Sequence, residues 1–219
     1  MSWAVTSNFA SYMGITLFFR CFGARLSARN APLAFSAAAL LVVGACGDTN
    51  SFLSPASIEN VDRQYEVWAM TGTSAALPAG YQFTSESLVR PQVLSSGEIN
   101  FDVAFDLNAN GKVVVLPVRL VSPLPPARSP SIGFLRWPAA YEQLIKASAS
   151  GYVFDSAAVL DVGETIAVQL PNSNCLLGDP YYAKFTVDSI DPVNRRMLVR
   201  ALVNRNCGYR ALSIGLPKD

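Results

Sequence analysis

The chain has 219 residues, with 17 Lys and Arg against 16 Asp and Glu, no His, four Cys, and 51% apolar against 15% charged residues. The near-neutral balance excludes a nucleic-acid partner, which needs a basic excess to displace counterions from phosphates. The absence of His excludes Ser-His-Asp and Cys-His catalysis, His-ligated zinc or haem, and an imidazole pH switch. What is left is long enough for one domain with a sizeable core and a leader.

Charge is unevenly placed along the chain. Residues 1–46 hold Arg20, Arg25 and Arg29 and no acid, so the remainder carries a small acidic excess. Behind Arg29 runs an apolar stretch, Ala31–Ala45, broken only by Pro32 and Ser36. A bilayer span needs about 20 such residues, so this run is short for a membrane helix and suits the core of a signal peptide. A second apolar patch, Met13–Phe19, lies upstream and points to an over-extended start or a long n-region, with Cys21 discarded alongside it.

The run closes on Leu41, Val42, Val43, Gly44, Ala45 and Cys46. This order resembles the lipobox of bacterial lipoproteins: an aliphatic residue, two small residues and a cysteine. The resemblance covers residues 25–46 and implies that the Cys46 thiol takes a diacylglyceryl group before cleavage on its N-terminal side. Further acylation of the new amino terminus then gives several chains, which amount to a stable anchor. The competing reading keeps Cys46 as a buried thiol in an apolar helix. In the enteric branch of that family an Asp after the lipid-bearing position favours inner-membrane retention, so the resemblance, with Gly47 there, implies outer-membrane sorting in a host that has an outer membrane. Gly47–Ser57, rich in Gly, Asn, Ser and Pro, reads as part of a tether. The expected organisation is therefore 1–45 signal peptide, 46–62 lipid-bearing Cys and tether, and 63–219 a single β domain.

From Gln64 the apolar period is mostly two. Gln64–Thr71 is the first expected strand. In Ile99–Asp106 the residues Ile99, Phe101, Val103 and Phe105 share one face. Asn110-Gly111 supplies the positive φ of a tight turn into Lys112–Val121, giving a hairpin. Pro-rich Ser122–Pro130 cannot lie in a central strand and is expected to cross between sheets. Pro138 opens an expected helix over Ala139–Ser148, ended by Gly151. Strands follow at Thr165–Leu170, Tyr181–Ile190, Arg196–Val203 and Tyr209–Ile214, with Asp191–Asn194 turning a second hairpin. Across that hairpin Lys184 and Asp188 are expected to meet Arg196 and Arg200. Many strands, one helix and no alternating βαβ rhythm predict a mainly β fold, an antiparallel β-sandwich or barrel-like domain. The mature domain shows no internal repeat and resembles no known family.

Cys175 and Cys207 are expected to pair, because an exported domain meets an oxidising compartment. Free buried thiols are the alternative, and the absence of a CxxC spacing speaks against redox chemistry. Asp106, Asn108, Asn110 and Gly111 match the opening of a calcium loop, yet position 12 is Pro117 where a bidentate Glu should stand. Turn chemistry explains the same residues. Asp102 and Asp106 lie about 13 Å apart along their strand, too far for a glycosidase pair, and Asp155, Asp161 and Glu164 fall in a turn-rich stretch. Arg195, Arg196, Arg200, Arg205 and Arg210 suggest an anion site or one solvated face of a hairpin. Trp137, Tyr141, Tyr152, Tyr181 and Tyr182 suggest a sugar platform or the cover of a core. With no catalytic constellation, the chain reads as a non-enzymatic binding or structural module of the cell envelope, with an envelope protein or polysaccharide as partner. It needs no cofactor, except that a calcium- or carbohydrate-binding surface domain is the second reading and a carboxylate hydrolase the third.

Overall fold

The computed structural model describes residues 54–125, 129–171, 175 and 178–218. Within them the chain forms β1 (Asp62–Trp68), β2 (Gly80–Gln82), β3 (Ser87–Val89), β4 (Val103–Leu107) and β5 (Val113–Pro117). A single helical turn, α1 (Val118–Val121), precedes β6 (Gly133–Trp137). A 3-10 turn at Tyr141–Gln143 leads to β7 (Val153–Phe154), β8 (Ala158–Leu160), β9 (Thr165–Leu170), β10 (Tyr181–Asp191) and β11 (Arg196–Asn204). All pairings are antiparallel, in a six-stranded sheet of order β1-β11-β10-β9-β6-β7 and a five-stranded sheet of order β3-β2-β4-β5-β8. The fold is mainly β, as the period-two patterning requires.

The two inner faces share one core. Phe185 of β10 stands edge-on to Tyr81, Phe83 and Phe105, with ring centroids 5.3, 5.4 and 5.9 Å away. Such pairs contribute about 0.5–1.5 kcal/mol each beyond their buried area. Val67, Val103, Val115, Ile166, Val168 and Val199 fill the layers around them. Both predicted hairpins form. Asn108 Oδ1 accepts the amides of Asn110 and Lys112, each at 3.0 Å, and Gly111 supplies the positive φ of 74° that closes the first. Asp191 accepts from the Asn194 amide and side chain at 3.1 and 2.8 Å in the second. Between β5 and β6 the chain passes from the five-stranded to the six-stranded sheet, as expected for the Pro-rich stretch, of which residues 126–128 lie outside the described residues.

Several sequence expectations are corrected. The helix expected over Ala139–Ser148 is absent apart from the 3-10 turn. Tyr141, Leu144 and Ala147 do form a buried stripe, but it belongs to a strap laid on the outer face of the six-stranded sheet with Ala167, Tyr182, Leu202 and Leu212. Residues 145–147 are extended, pairing with the 210–212 segment through Leu212 N–H to Ile145 O and Ala147 N–H to Arg210 O, both 2.8 Å. No strand forms over Tyr209–Ile214, because the carbonyls of Tyr209, Ala211 and Ser213 are taken by the side chains of Asn204 and Asn60. In the Ile99–Asp106 stretch the ladder begins only at Val103. Phe101 packs outward with Ala104 and Val118, out of phase with Val103 and Phe105. Lys184 does not face Arg196 or Arg200; its register partner is Leu202, and it is buried. Asp188 does meet Arg200, at 3.5 Å.

Side chains bridge the sheets at both lateral margins of the sandwich. On one, Arg136 of β6 donates to the backbone carbonyl of Val159 in β8 and to both Glu164 oxygens at 3.1 Å. On the other, Tyr65 of β1 donates to the Glu86 carbonyl at 2.7 Å, and Arg63 and Arg205 grip the buried Glu86 carboxylate at 3.2 and 2.8 Å.

Candidate functional site

The structure places the predicted site residues as follows. Cys46 lies outside the described residues. Cys175 and Cys207 are bonded to each other, with Cα atoms 5.6 Å apart, tying the segment before β10 to the one after β11. Of the expected tether, Ser57 onward is already bound to the domain: the Ser57 and Ile58 amides donate to Asn206 Oδ1 at 2.9 and 3.0 Å.

The Asp106 carboxylate is engaged by Arg195 Nη2 at 3.0 Å and by the Thr71 hydroxyl at 2.9 Å, while Asn108 caps its own turn. Asn110 is exposed at the turn tip. Calcium at this loop would have to displace a guanidinium from its first ligand. Among the described residues, no three His, Cys, Asp or Glu side chains are grouped for a metal ion.

The arginines are dispersed over separate partners. Arg195 takes Asp106 and the carbonyls of Thr71 and Leu107, and Arg196 takes Glu66 and Asp191. Arg200 takes Glu142 at 2.8 Å and Asp188, and Arg205 takes Glu86. Arg210 contributes its backbone carbonyl to the strap. The acids are similarly committed: Asp155 to Arg119 and Ser131, Asp161 to Lys112, and Glu164 to Arg136. The aromatic group is not a platform. Tyr141 and Tyr182 are buried, Trp137 and Tyr152 pack against them, and Tyr181 packs on the inter-sheet core instead.

Two features escaped sequence reading. Lys184 is buried beneath the strap, its Nζ donating to the carbonyls of Tyr141 and Leu144 at 3.0 and 3.1 Å and lying 4.2 Å from the Tyr141 ring centre. Arg200 covers the same ring at 4.4 Å, and Asp62 accepts the Tyr141 hydroxyl at 2.8 Å. The other is an apolar cleft of about 220 Å3 on the outer face of the five-stranded sheet. Met70, Leu77, Pro91, Ile99, Phe101 and Val121 line it. Gly80 permits this closeness, since a Cβ there would stand 3.1 Å from both Phe101 and Pro91. Three hydroxyls at the cleft turn to nearby backbone: Thr73 donates to Ala69 O at 2.6 Å, Ser74 Oγ accepts the Ala76 amide at 3.2 Å, and Ser122 Oγ accepts the Leu124 amide at 2.9 Å. No ionisable side chain lines it, so it suits an uncharged group the size of a ring or a branched side chain. The sequence carries no clue to it, because Phe101 is in phase with Val103 and Phe105 there and leaves their face only in the structure.

Asp102 sits beside this face, its Oδ2 accepting the Phe83 amide at 2.7 Å. Burial pushes its carboxyl above the usual range, partly opposed by that hydrogen bond. The native state therefore holds a proton that the unfolded chain releases, and stability falls as the pH rises from 3.8 through the folded-state value. Asp102→Asn keeps the acceptor and removes the buried charge. It is expected to raise neutral-pH stability by about 1 kcal/mol, with the gain vanishing below pH ~4. Urea unfolding at both pH values checks this, and a variant less stable than wild type at pH 7 contradicts it.

Comparison of the chain with protein-family models, with curated proteins and with solved structures finds no match.

Proposed function

We propose that this is a lipid-anchored cell-envelope protein, held through Cys46 with the outer membrane favoured, whose β domain serves as a non-enzymatic binding or structural module. The observation that carries the reading is the pairing of Cys175 with Cys207. It joins the two cysteines that follow Cys46 and suits an oxidising compartment beyond the cytoplasm. Cys46 is thereby left for the acyl group that the Leu41–Cys46 order implies. The commitment of Asp155, Asp161 and Glu164 to cations supports a module without carboxylate chemistry of its own. The uncharged cleft beside Phe101 gives such a module a contact for an apolar group of an envelope protein or polysaccharide.

Acyl-chain labelling and membrane fractionation of wild type and Cys46→Ser, in a bacterial host with intact lipoprotein processing, tests the reading. Wild type is expected in the membrane fraction carrying label, and Cys46→Ser unlabelled and released from it. An unlabelled wild type overturns the proposal.

A further inference from the structure

The chain arrives from Cys46 at one particular end of the sandwich. Ser57 and Ile58 are pinned by Asn206, whose Nδ2 returns a bond to Ile58 O at 2.8 Å. Two residues on, Asn60 and Gly215 exchange both backbone hydrogen bonds at 2.9 Å. The Asn60 side chain donates to Ala211 O and Ser213 O, both at 3.0 Å. These bonds hold Asn60 and Gly215 as an isolated antiparallel bridge, with the Asn60 side chain tying the 211–213 segment beside it.

At an antiparallel bridge the residues flanking the paired position point to the opposite side, and Asn60 points inward and is buried. Its neighbours in register, Val61, Ile214 and Leu216, therefore face out, and they are 40%, 74% and 48% exposed. Ile145, 62% exposed, joins the same end through the bond from Leu212 N–H to its carbonyl. Exposed Lys146 follows Ile145 and exposed Lys218 lies two residues beyond Leu216, while exposed Glu59 lies two residues before Val61.

We infer that this end of the domain seats on the phospholipid leaflet, with Val61, Ile145, Ile214 and Leu216 in the headgroup and acyl boundary and the two lysines among the phosphates. The inference rests on anchoring at Cys46. Ser57 lies eleven positions after Cys46, a reach of at most about 40 Å. A lipid surface is thus held at high local concentration beside these side chains, and scattered apolar groups of this kind with basic neighbours match an interfacial contact. The opposite end is marked by Val193, 89% exposed in the β10–β11 turn. It stands the length of β11 away, about 30 Å.

The test places the photoreactive residue benzoylphenylalanine at position 214 or 193 of the full chain, expressed in a lipoprotein-processing bacterium with acyl-chain labelling. Unreactive Cys175 and Cys207 thiols report that each variant has folded. Acylated protein is expected to give about tenfold more lipid cross-link from position 214 than from 193. Acylated, membrane-bound protein with equal yields, or with position 214 captured by a protein, overturns this inference and leaves the anchor standing. Protein that carries no acyl label overturns both.

Discussion

Lys184→Ala is expected to destabilise the domain by about 3–5 kcal/mol, because it opens a cavity under the strap, takes the side-chain donor from the Leu144 carbonyl and leaves Tyr141 O with the Leu144 amide alone, at 3.3 Å. The amine donates to both Tyr141 O and Leu144 O, the carbonyls through which the 138–152 strap is fastened to β10. Lys184→Met keeps the stem's packing and loses only the donors, so it is expected to cost about 1–3 kcal/mol. Urea unfolding of both variants separates packing from hydrogen bonding, and an alanine variant within 1 kcal/mol of wild type would show that the strap holds without the amine. Burial also holds the amine below the usual lysine range. The unfolded chain then keeps a proton that the native state has lost, and this advantage fades as the pH rises towards 10.5. Wild type is accordingly expected to gain on Lys184→Met between neutral pH and 10.5.

Reduction of Cys175–Cys207, or the Cys175→Ser/Cys207→Ser double variant, is expected to lower stability by about 3–4 kcal/mol, the cost of reopening a loop of this length in the unfolded chain. The cysteines are 32 positions apart and enclose the whole β10–β11 hairpin, the pairing on which both β1 and β9 are laid. The two routes should give the same urea midpoint, with a steeper slope than the oxidised protein, because the unfolded chain exposes more surface once the loop is open. A loss under 1 kcal/mol in either would mean that the unfolded chain already keeps these two segments close without the bond.

The β class, both hairpins, the crossing connection and the disulfide were legible in the sequence because each rests on a local rule: alternation, Asn-Gly and Asp-Pro turn chemistry, proline's missing donor, and cysteine parity. The short strands β2, β3, β6, β7 and β8 were not, since two to five residues give alternation too little length to register. The strap was misread because Tyr141, Leu144 and Ala147 satisfy a helical stripe as well as an extended cover. What decides between them is a lysine 40 residues away. The terminal segment was misread for a similar reason. Buried Asn60, Asn204 and Asn206 bond to carbonyls that a ladder would otherwise use, and asparagine's sequence signal is for turns and solvent. Of the candidate sites, the arginines and acids were recognised as charges but not as one another's partners, because pairs such as Arg195 and Asp106 come together only across the sheets.

The lateral bridges made by Arg136 and Tyr65 bear on how copies of the domain behave when crowded. A strand at a sheet margin invites a matching strand from another molecule, and proteins concentrated on a surface meet margin to margin far more often than in solution. Here the Val159 carbonyl already holds a guanidinium from the opposite sheet, and the Glu86 carbonyl holds a phenol. A foreign strand must first break these bonds and expose the charges behind them, so dense arrays of this domain are expected to remain individual molecules and not knit into shared sheets.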